Sequence, residues 1–139
     1  NFGSQSLVVA IDVRRDSSGA FSVYIDGGHT RSGREAVEWA REAQARGAGE
    51  LLVTSMDRDG TRAGFDIELS AAIRAAVDIP VIASGGAGRV EDFAALFEAG
   101  AADAALGASV FHDRTIAIPH LKQELRERGI MLRPWQPTD

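Results

Sequence analysis

The sequence predicts an α/β fold built on a parallel sheet, and three observations carry that reading. Four apolar runs recur along the chain: Leu7–Ile11, Leu51–Thr54, Val81–Ala83 and Ala104–Leu106. The first three are continuous or nearly so rather than alternating, as in parallel strands that helices bury on both faces. Amphipathic segments separate the runs. The resulting order, β-α-β-α-β-α-β-α, implies right-handed crossovers between parallel strands.

Each element has its own signal. The first run, Leu7–Ile11, stops at Asp12. The connection from Asp12 to Gly33 is long, and within it Phe21-Ser-Val-Tyr-Ile25 alternates and meets Asp26-Gly27-Gly28. That pattern predicts a small hairpin lying over the strand ends. A helix over Gly33–Arg46 carries Ala36, Val37, Ala40 and Ala43 on one side, with Gly47 as its cap. After the second run, Leu51–Thr54, a helix over Asp66–Val77 carries Ile67, Leu69, Ile73 and Val77, and Pro80 bars its continuation. The third run, Val81–Ala83, leads through Ser84-Gly85-Gly86-Ala87-Gly88 into a helix over Val90–Ala99 that ends at Gly100. The fourth, Ala104–Leu106, leads to a helix over Ile116–Arg128 that stops at Gly129, with basic residues in its last turns. Pro134 and Pro137 make the tail after Gly129 irregular.

With 139 residues, 45% of them apolar, the chain has room for one domain with a real core. The formal net charge is −5 and the 15 basic residues are scattered, so no nucleic-acid footprint is expected. There is no cysteine, hence no disulfide, thiolate metal site or cysteine nucleophile, which suits a cytosolic protein. No apolar run approaches the roughly 20 residues of a membrane span. The opening Asn-Phe-Gly-Ser-Gln-Ser has neither a signal-peptide layout nor an initiator Met, so the chain is expected to begin inside a longer reading frame.

Every predicted strand runs out into polar or glycine residues at its C-terminal end, where ligand crevices lie in parallel α/β folds. Asp12, directly after an apolar run, reads equally as a general acid or base and as a turn cap. The run Asp57-Arg-Asp59-Gly60-Thr61 lacks the glutamate of a calcium loop. It fits an Asx turn, or a carboxylate facing substrate beside a Gly60 amide facing an anion, and the second reading is preferred because the run continues an apolar strand. Ser84-Gly-Gly-Ala-Gly88 is neither a dinucleotide fingerprint nor a Walker loop. Its amides, helped by the following helix N-terminus, could close on an anion, and Gly107-Ala108-Ser109 supplies a second anion candidate. The three histidines, His29, His112 and His120, lack metal-ligand spacing. Trp39 reads as core or interface, and Arg41-Glu42 and Arg126–Arg128 as solvated helix faces.

Together these segments resemble the cyclase subunit of imidazole glycerol phosphate synthase, of histidine biosynthesis. The resemblance rests on Phe2-Gly-Ser-Gln5, Val8-Val-Ala-Ile-Asp12, Arg46-Gly-Ala-Gly-Glu50, Leu52-Val-Thr-Ser-Met-Asp-Arg-Asp-Gly-Thr61, Ile82-Ala-Ser-Gly-Gly-Ala-Gly88 and Ala108-Ser-Val-Phe-His112. The opening segment and the Thr-Ser-Met-Asp-Arg-Asp-Gly-Thr run favour the cyclase over its sister, the phosphoribosyl-formimino isomerase, which shares the Ala-Ser-Gly-Gly loop. The family fold is a (β/α)8 barrel of about 250 residues. The resemblance places this chain in its second half: a (β/α)4 half-barrel over residues 1–133 followed by an irregular tail, 134–139.

The resemblance implies further roles. Asp12 matches one of the family's two acid–base aspartates, and its partner belongs to the other half. Asp59, Gly60, Gly86, Ala108 and Ser109 would hold one of the substrate's two phosphates, with Thr54 and Ser84 near the substrate. Glu50 matches a carboxylate at the gate of the family's ammonia channel, on the opposite face, where a glutaminase subunit docks; read alone, it is an ordinary exposed charge before a strand. No cofactor or metal is implied. The chain alone is expected to bind a phosphorylated ribonucleotide or inorganic phosphate and to be weakly active or inactive. It is also expected to pair with itself or with the missing half. The other readings are a non-catalytic phosphate-binding half-barrel and an open flavodoxin-like sheet with the same glycines at its switch point.

Overall fold

A computed structural model describes residues 3–134. Four parallel strands are neighbours: β1 (Val8–Arg15), β4 (Glu50–Ser55), β5 (Val81–Ser84) and β6 (Ala104–Leu106). Between β1 and β4 in the chain, β2 (Phe21–Ile25) and β3 (Thr30–Glu35) form an antiparallel hairpin that pairs with β1, so the sheet order is β3-β2-β1-β4-β5-β6. The helices are α1 (Ala36–Ala45), α2 (Ile67–Ala76), α3 (Val90–Glu98), α4 (Ser109–His112) and α5 (Ile118–Glu127). The parallel strands follow one another in chain order with no reversal. A doubly wound sheet needs that reversal at its switch point, so the flavodoxin-like reading is wrong.

The predicted strands stand, with one extension. Asp12 does not end β1; the strand runs on to Arg15 because β2 supplies a partner there, with Asp12 opposite Tyr24 and Arg15 opposite Phe21. The hairpin therefore lies beside β1 as part of the sheet, not over the strand ends. It also shortens the first helix. Thr30–Glu35 is strand, and Gly33 has φ +78, which no α-helix uses, so α1 starts at Ala36 with the Glu35 carboxylate accepting the Glu38 amide at 2.9 Å. The last helix starts at Ile118, with Pro119 in its first turn where a missing N–H costs nothing. Residues 130–134 are neither helix nor strand; the rest of the expected tail, and Phe2 of the opening motif, lie outside the described residues.

All the helix packing falls on one face of the sheet. Ile11, Val13, Leu51, Val53, Val81 and Ala83 are 1% exposed or less. Near β1 and β4 they meet Ala36, Ala40, Leu69 and Ile73, and near β5 they meet Phe93, Leu96, Leu121 and Leu125. Each large side chain removed from water in this way stabilises the fold by about 1.5–3 kcal/mol. On the other face Val8 and Leu106 are exposed, and Leu52 and Ile82 are only half-buried. Burial on both faces, expected from the continuous apolar runs, is therefore not met among the described residues. These four residues on the second face are apolar, but nothing among the described residues covers them.

Side chains tie the two ends of this layer together. The Asp66 carboxylate, 7% exposed, caps α2 by accepting the Leu69 amide at 3.0 Å. Arg15 reaches it at 3.5 Å, holds Glu68 at 2.8 Å, and lies over the Phe21 ring. The end of β1, the hairpin and the start of α2 are thus one unit.

Candidate functional site

The register of the sheet aligns three of the site residues read from the sequence. Asp12 stands beside Thr54 in the β1–β4 ladder, and Thr54 beside Ser84 in the β4–β5 ladder. The row ends at Leu106 on β6 and at Tyr24 on β2. Neighbours in register share a face, and this is the face opposite buried Ile11, Val53 and Ala83. Below it the row Ala10, Leu52, Ile82, Ala104 is wholly apolar. The face thus changes from apolar to polar one row from the C-terminal ends of the strands.

A pocket of about 40 Å³ adjoins the polar row. The pocket has room for a group of a few heavy atoms. Asp59, Gly60, Ser84, Gly86, Ala108 and Ser109 all line it, with Arg62 and Gly85. The loops after β4, β5 and β6 therefore meet here, as the sequence predicts. Thr54 and Asp12 lie outside the lining, one and two strands away along the row. Glu50 lies at the other end of β4, where it lines a separate groove with Gln5, Asp78 and Pro80.

The glycines have a reason that the anion argument did not contain. Gly85 and Gly86 have φ +94 and +100, a region costly for any side chain. A Cβ on Gly85 would stand 2.6 Å from the Ser55 carbonyl oxygen, one on Gly86 2.1 Å from the Gly64 oxygen, and one on Gly88 2.5 Å from the Arg62 oxygen. The loop after β5 is thus glycine-rich because the backbone of the loop after β4 lies directly against it.

The free amides also differ from those first expected. The Asp92 carboxylate accepts the amides of Gly88 and Arg89, both at 2.8 Å, so the start of α3 already holds an anion of its own. The Asp59 amide is bonded to the Ser55 carbonyl at 2.9 Å. Among the described residues no partner is found for the amides of Gly60, Gly86, Ala108 and Ser109. These four, drawn from three loops, are among the pocket's available donors; the amides of Arg62, Gly85, Ala87 and Gly107 in the same lining likewise have no partner among the described residues. Asp57, the other carboxylate of its run, faces β1: it accepts the Arg15 amide at 2.8 Å and stands 4.0 Å from Arg14. It is a strand clamp.

Asp12 is half-buried, and among the described residues nothing hydrogen-bonds its carboxylate. It caps no turn, because it lies inside a strand. Arg62 is the pocket residue that sequence reasoning missed. It is the cation of the lining, its guanidinium bound by Asp113 just after α4. Arg62 follows Asp-Gly-Thr directly, and that adjacency was the available signal. Among the described residues no group of three His, Cys, Asp or Glu is placed to hold a metal.

With this geometry in view, comparison with known proteins is specific. A family profile described as "Histidine biosynthesis protein" matches residues 1–117. The chain belongs to this family. It is 56% identical over 132 residues to a protein of Alkaliphilus metalliredigens named imidazole glycerol phosphate synthase subunit HisF, covering 95% of this chain and 52% of that one. Proteins of the same name from Symbiobacterium thermophilum and Acidobacterium capsulatum are 56% and 58% identical over the same shares. The resemblance read from the motifs is borne out. The chain spans about half the length of these curated relatives. No helix among the described residues is long and apolar enough to cross a membrane.

Proposed function

We propose that this chain is half of an imidazole glycerol phosphate synthase cyclase, a (β/α)4 half-barrel that carries one catalytic aspartate and one phosphate site. The observation that carries this reading is the polar row Asp12–Thr54–Ser84 running into a pocket lined by free amides. A phosphate group bound by Gly60, Gly86, Ala108 and Ser109 would lead its substrate back along the row towards Asp12. An unpaired carboxylate inside a strand has no structural duty there, which favours the acid–base role over the cap. The complete reaction is ammonia-dependent: a ribulosyl formimino-aminoimidazole carboxamide ribonucleotide is cyclised and cleaved to imidazole glycerol phosphate and aminoimidazole carboxamide ribonucleotide. The second aspartate and second phosphate site come from the other half.

The uncovered apolar row supports the half-barrel. Leu52 and Ile82 with exposed Val8 and Leu106 are the interior of a barrel that four strands cannot close. Both sheet edges fit that role. Among the described residues the hairpin occupies β1 only from Asp12 to Arg15, leaving Val8–Ile11 free for another strand, and β6 is open. A first half, or a second copy, would fill both. Glu50, at the far end of β4, faces the side where a glutaminase subunit would deliver ammonia.

The test is complementation. The chain is mixed with the first half of a relative and assayed for ammonia-dependent turnover. The mixture is active, the chain alone is weakly active or inactive, and Asp12→Asn lowers the rate of the mixture by about 10²–10⁴-fold. An Asp12→Asn mixture as active as the parent would end the catalytic assignment.

A further inference from the structure

The charge arrangement at the mouth of the pocket points beyond this reading, though the inference rests on the phosphate assignment. Two charged residues line the pocket, Asp59 and Arg62. A third, Asp113, binds the Arg62 guanidinium from the end of α4. Arg58, a nearby cation on the same loop, is committed to the Ala63 carbonyl at 3.2 Å. The local balance among Asp59, Arg62 and Asp113 is one positive against two negative charges, which is unfavourable to an anion while Arg62 stays with Asp113.

Backbone contacts fix both partners and leave their side chains room. Arg62 has φ +55, and its backbone lies so close to Gly88 that a Cβ there would stand 2.5 Å from the Arg62 oxygen. Asp113 is held by its amide, which donates to the Ser109 carbonyl at 2.8 Å, and Ser109 itself lines the pocket. The two side chains are 45% and 49% exposed, so neither is locked by packing.

We infer that the Arg62 guanidinium exchanges between two counter-ions, the Asp113 carboxylate and a phosphate group in the pocket, so that Asp113 competes with the ligand and sets which anions the pocket accepts. A phosphate dianion offers more charge and more acceptor oxygens than a carboxylate and takes the guanidinium; a monoanion such as chloride does not. Arg62 is then a specificity-determining residue, and Asp113 its built-in competitor.

The experiment is a calorimetric titration with inorganic phosphate at low ionic strength, on the 139-residue chain and three variants. Arg62→Gln weakens binding about tenfold, from loss of a charge-assisted bond. Asp113→Asn tightens binding about two- to fivefold, the range expected for releasing an exposed ion pair. In the Arg62→Gln background, Asp113→Asn has no further effect, because there is no guanidinium to release. Unchanged or weaker binding by Asp113→Asn would show that the pair only pins the two loops. Equal tightening in both backgrounds would reduce Asp113 to a distant charge, and either result overturns the inference. Phosphate binding by the parent that ignores both residues sinks this inference alone. Absence of binding in all four proteins sinks the phosphate assignment and this inference with it.

Discussion

The Gly64 amide donates to the Gly86 carbonyl at 2.8 Å, and a Cβ on Gly86 would stand 2.1 Å from the Gly64 oxygen. The loops after β4 and β5 are thus one packed object, and the amides that line the pocket are set by that packing. Gly86→Ala must both strain φ and push two backbones apart. A loss of about 3–4 kcal/mol in urea unfolding is expected. Gly100→Ala is the control: φ is +61 there, but nothing lies within 4 Å of the added atom, so about 1–2 kcal/mol is expected. Equal losses at the two positions would show that the loop contact is not what requires glycine.

The hairpin responds to acid through Asp16. Its Oδ1 accepts the Ser18 hydroxyl and the amides of Ser18 and Ala20, and its Oδ2 stands 2.7 Å from Arg31. The Ser18 hydroxyl holds the carboxyl below its usual value; lost hydration opposes it, and the Ser18 and Ala20 amides and the Ser22 hydroxyl add to the lowering. A lowered folded value means that the contribution is full above about pH 4 and is lost as pH falls through the folded value. Amide exchange at Val23 and Tyr24 should therefore rise in that acid window, and Asp16→Asn should abolish the dependence.

Leu52 offers a test of the uncovered face. Its neighbours Val53 and Leu51 are buried against the helices, but Leu52 itself points to the other side. Leu52→Lys should leave the isolated chain folded, with unfolding changed by about 1 kcal/mol or less, because no helix packs on it. It should abolish association with a second copy or a first half, as read by sedimentation, because an unpaired ammonium would then be buried. A chain that stays monomeric at micromolar concentration and ignores added first half would refute the half-barrel proposal.

Asp66 probes the unit at the end of β1. Asp66→Ala removes the α2 cap and leaves Arg15 with Glu68 alone. A loss of about 1–2 kcal/mol is expected in thermal unfolding. Asp66→Asn, which keeps the cap acceptor but not the charge, should recover most of it.

Sequence patterns are local, and what they expressed locally is what could be read. The four parallel strands, their order with the helices, the stops at Gly47, Gly100 and Gly129, and the cluster of Asp59, Gly60, Gly86 and Ser109 at the strand ends all follow from periodicity, turn chemistry and motif. Two matters were decided by pairing between separate segments, and a third by a local helix cap. β1 runs past Asp12 because Tyr24, twelve residues on, lies opposite it, and no pattern in Asp12–Arg15 announces that partner. Gly85, Gly86 and Gly88 are required by the backbone at Ser55, Gly64 and Arg62, a contact between two loops that spacing cannot express. The amides of Gly88 and Arg89 are withdrawn from ligand duty by Asp92, whereas those of Gly60, Gly86, Ala108 and Ser109 are left over. Residue types determined which chemistry this chain can offer. The tertiary structure decided which of those groups remain unpaired, because a donor or carboxylate is available to a ligand only where the fold has not already satisfied it.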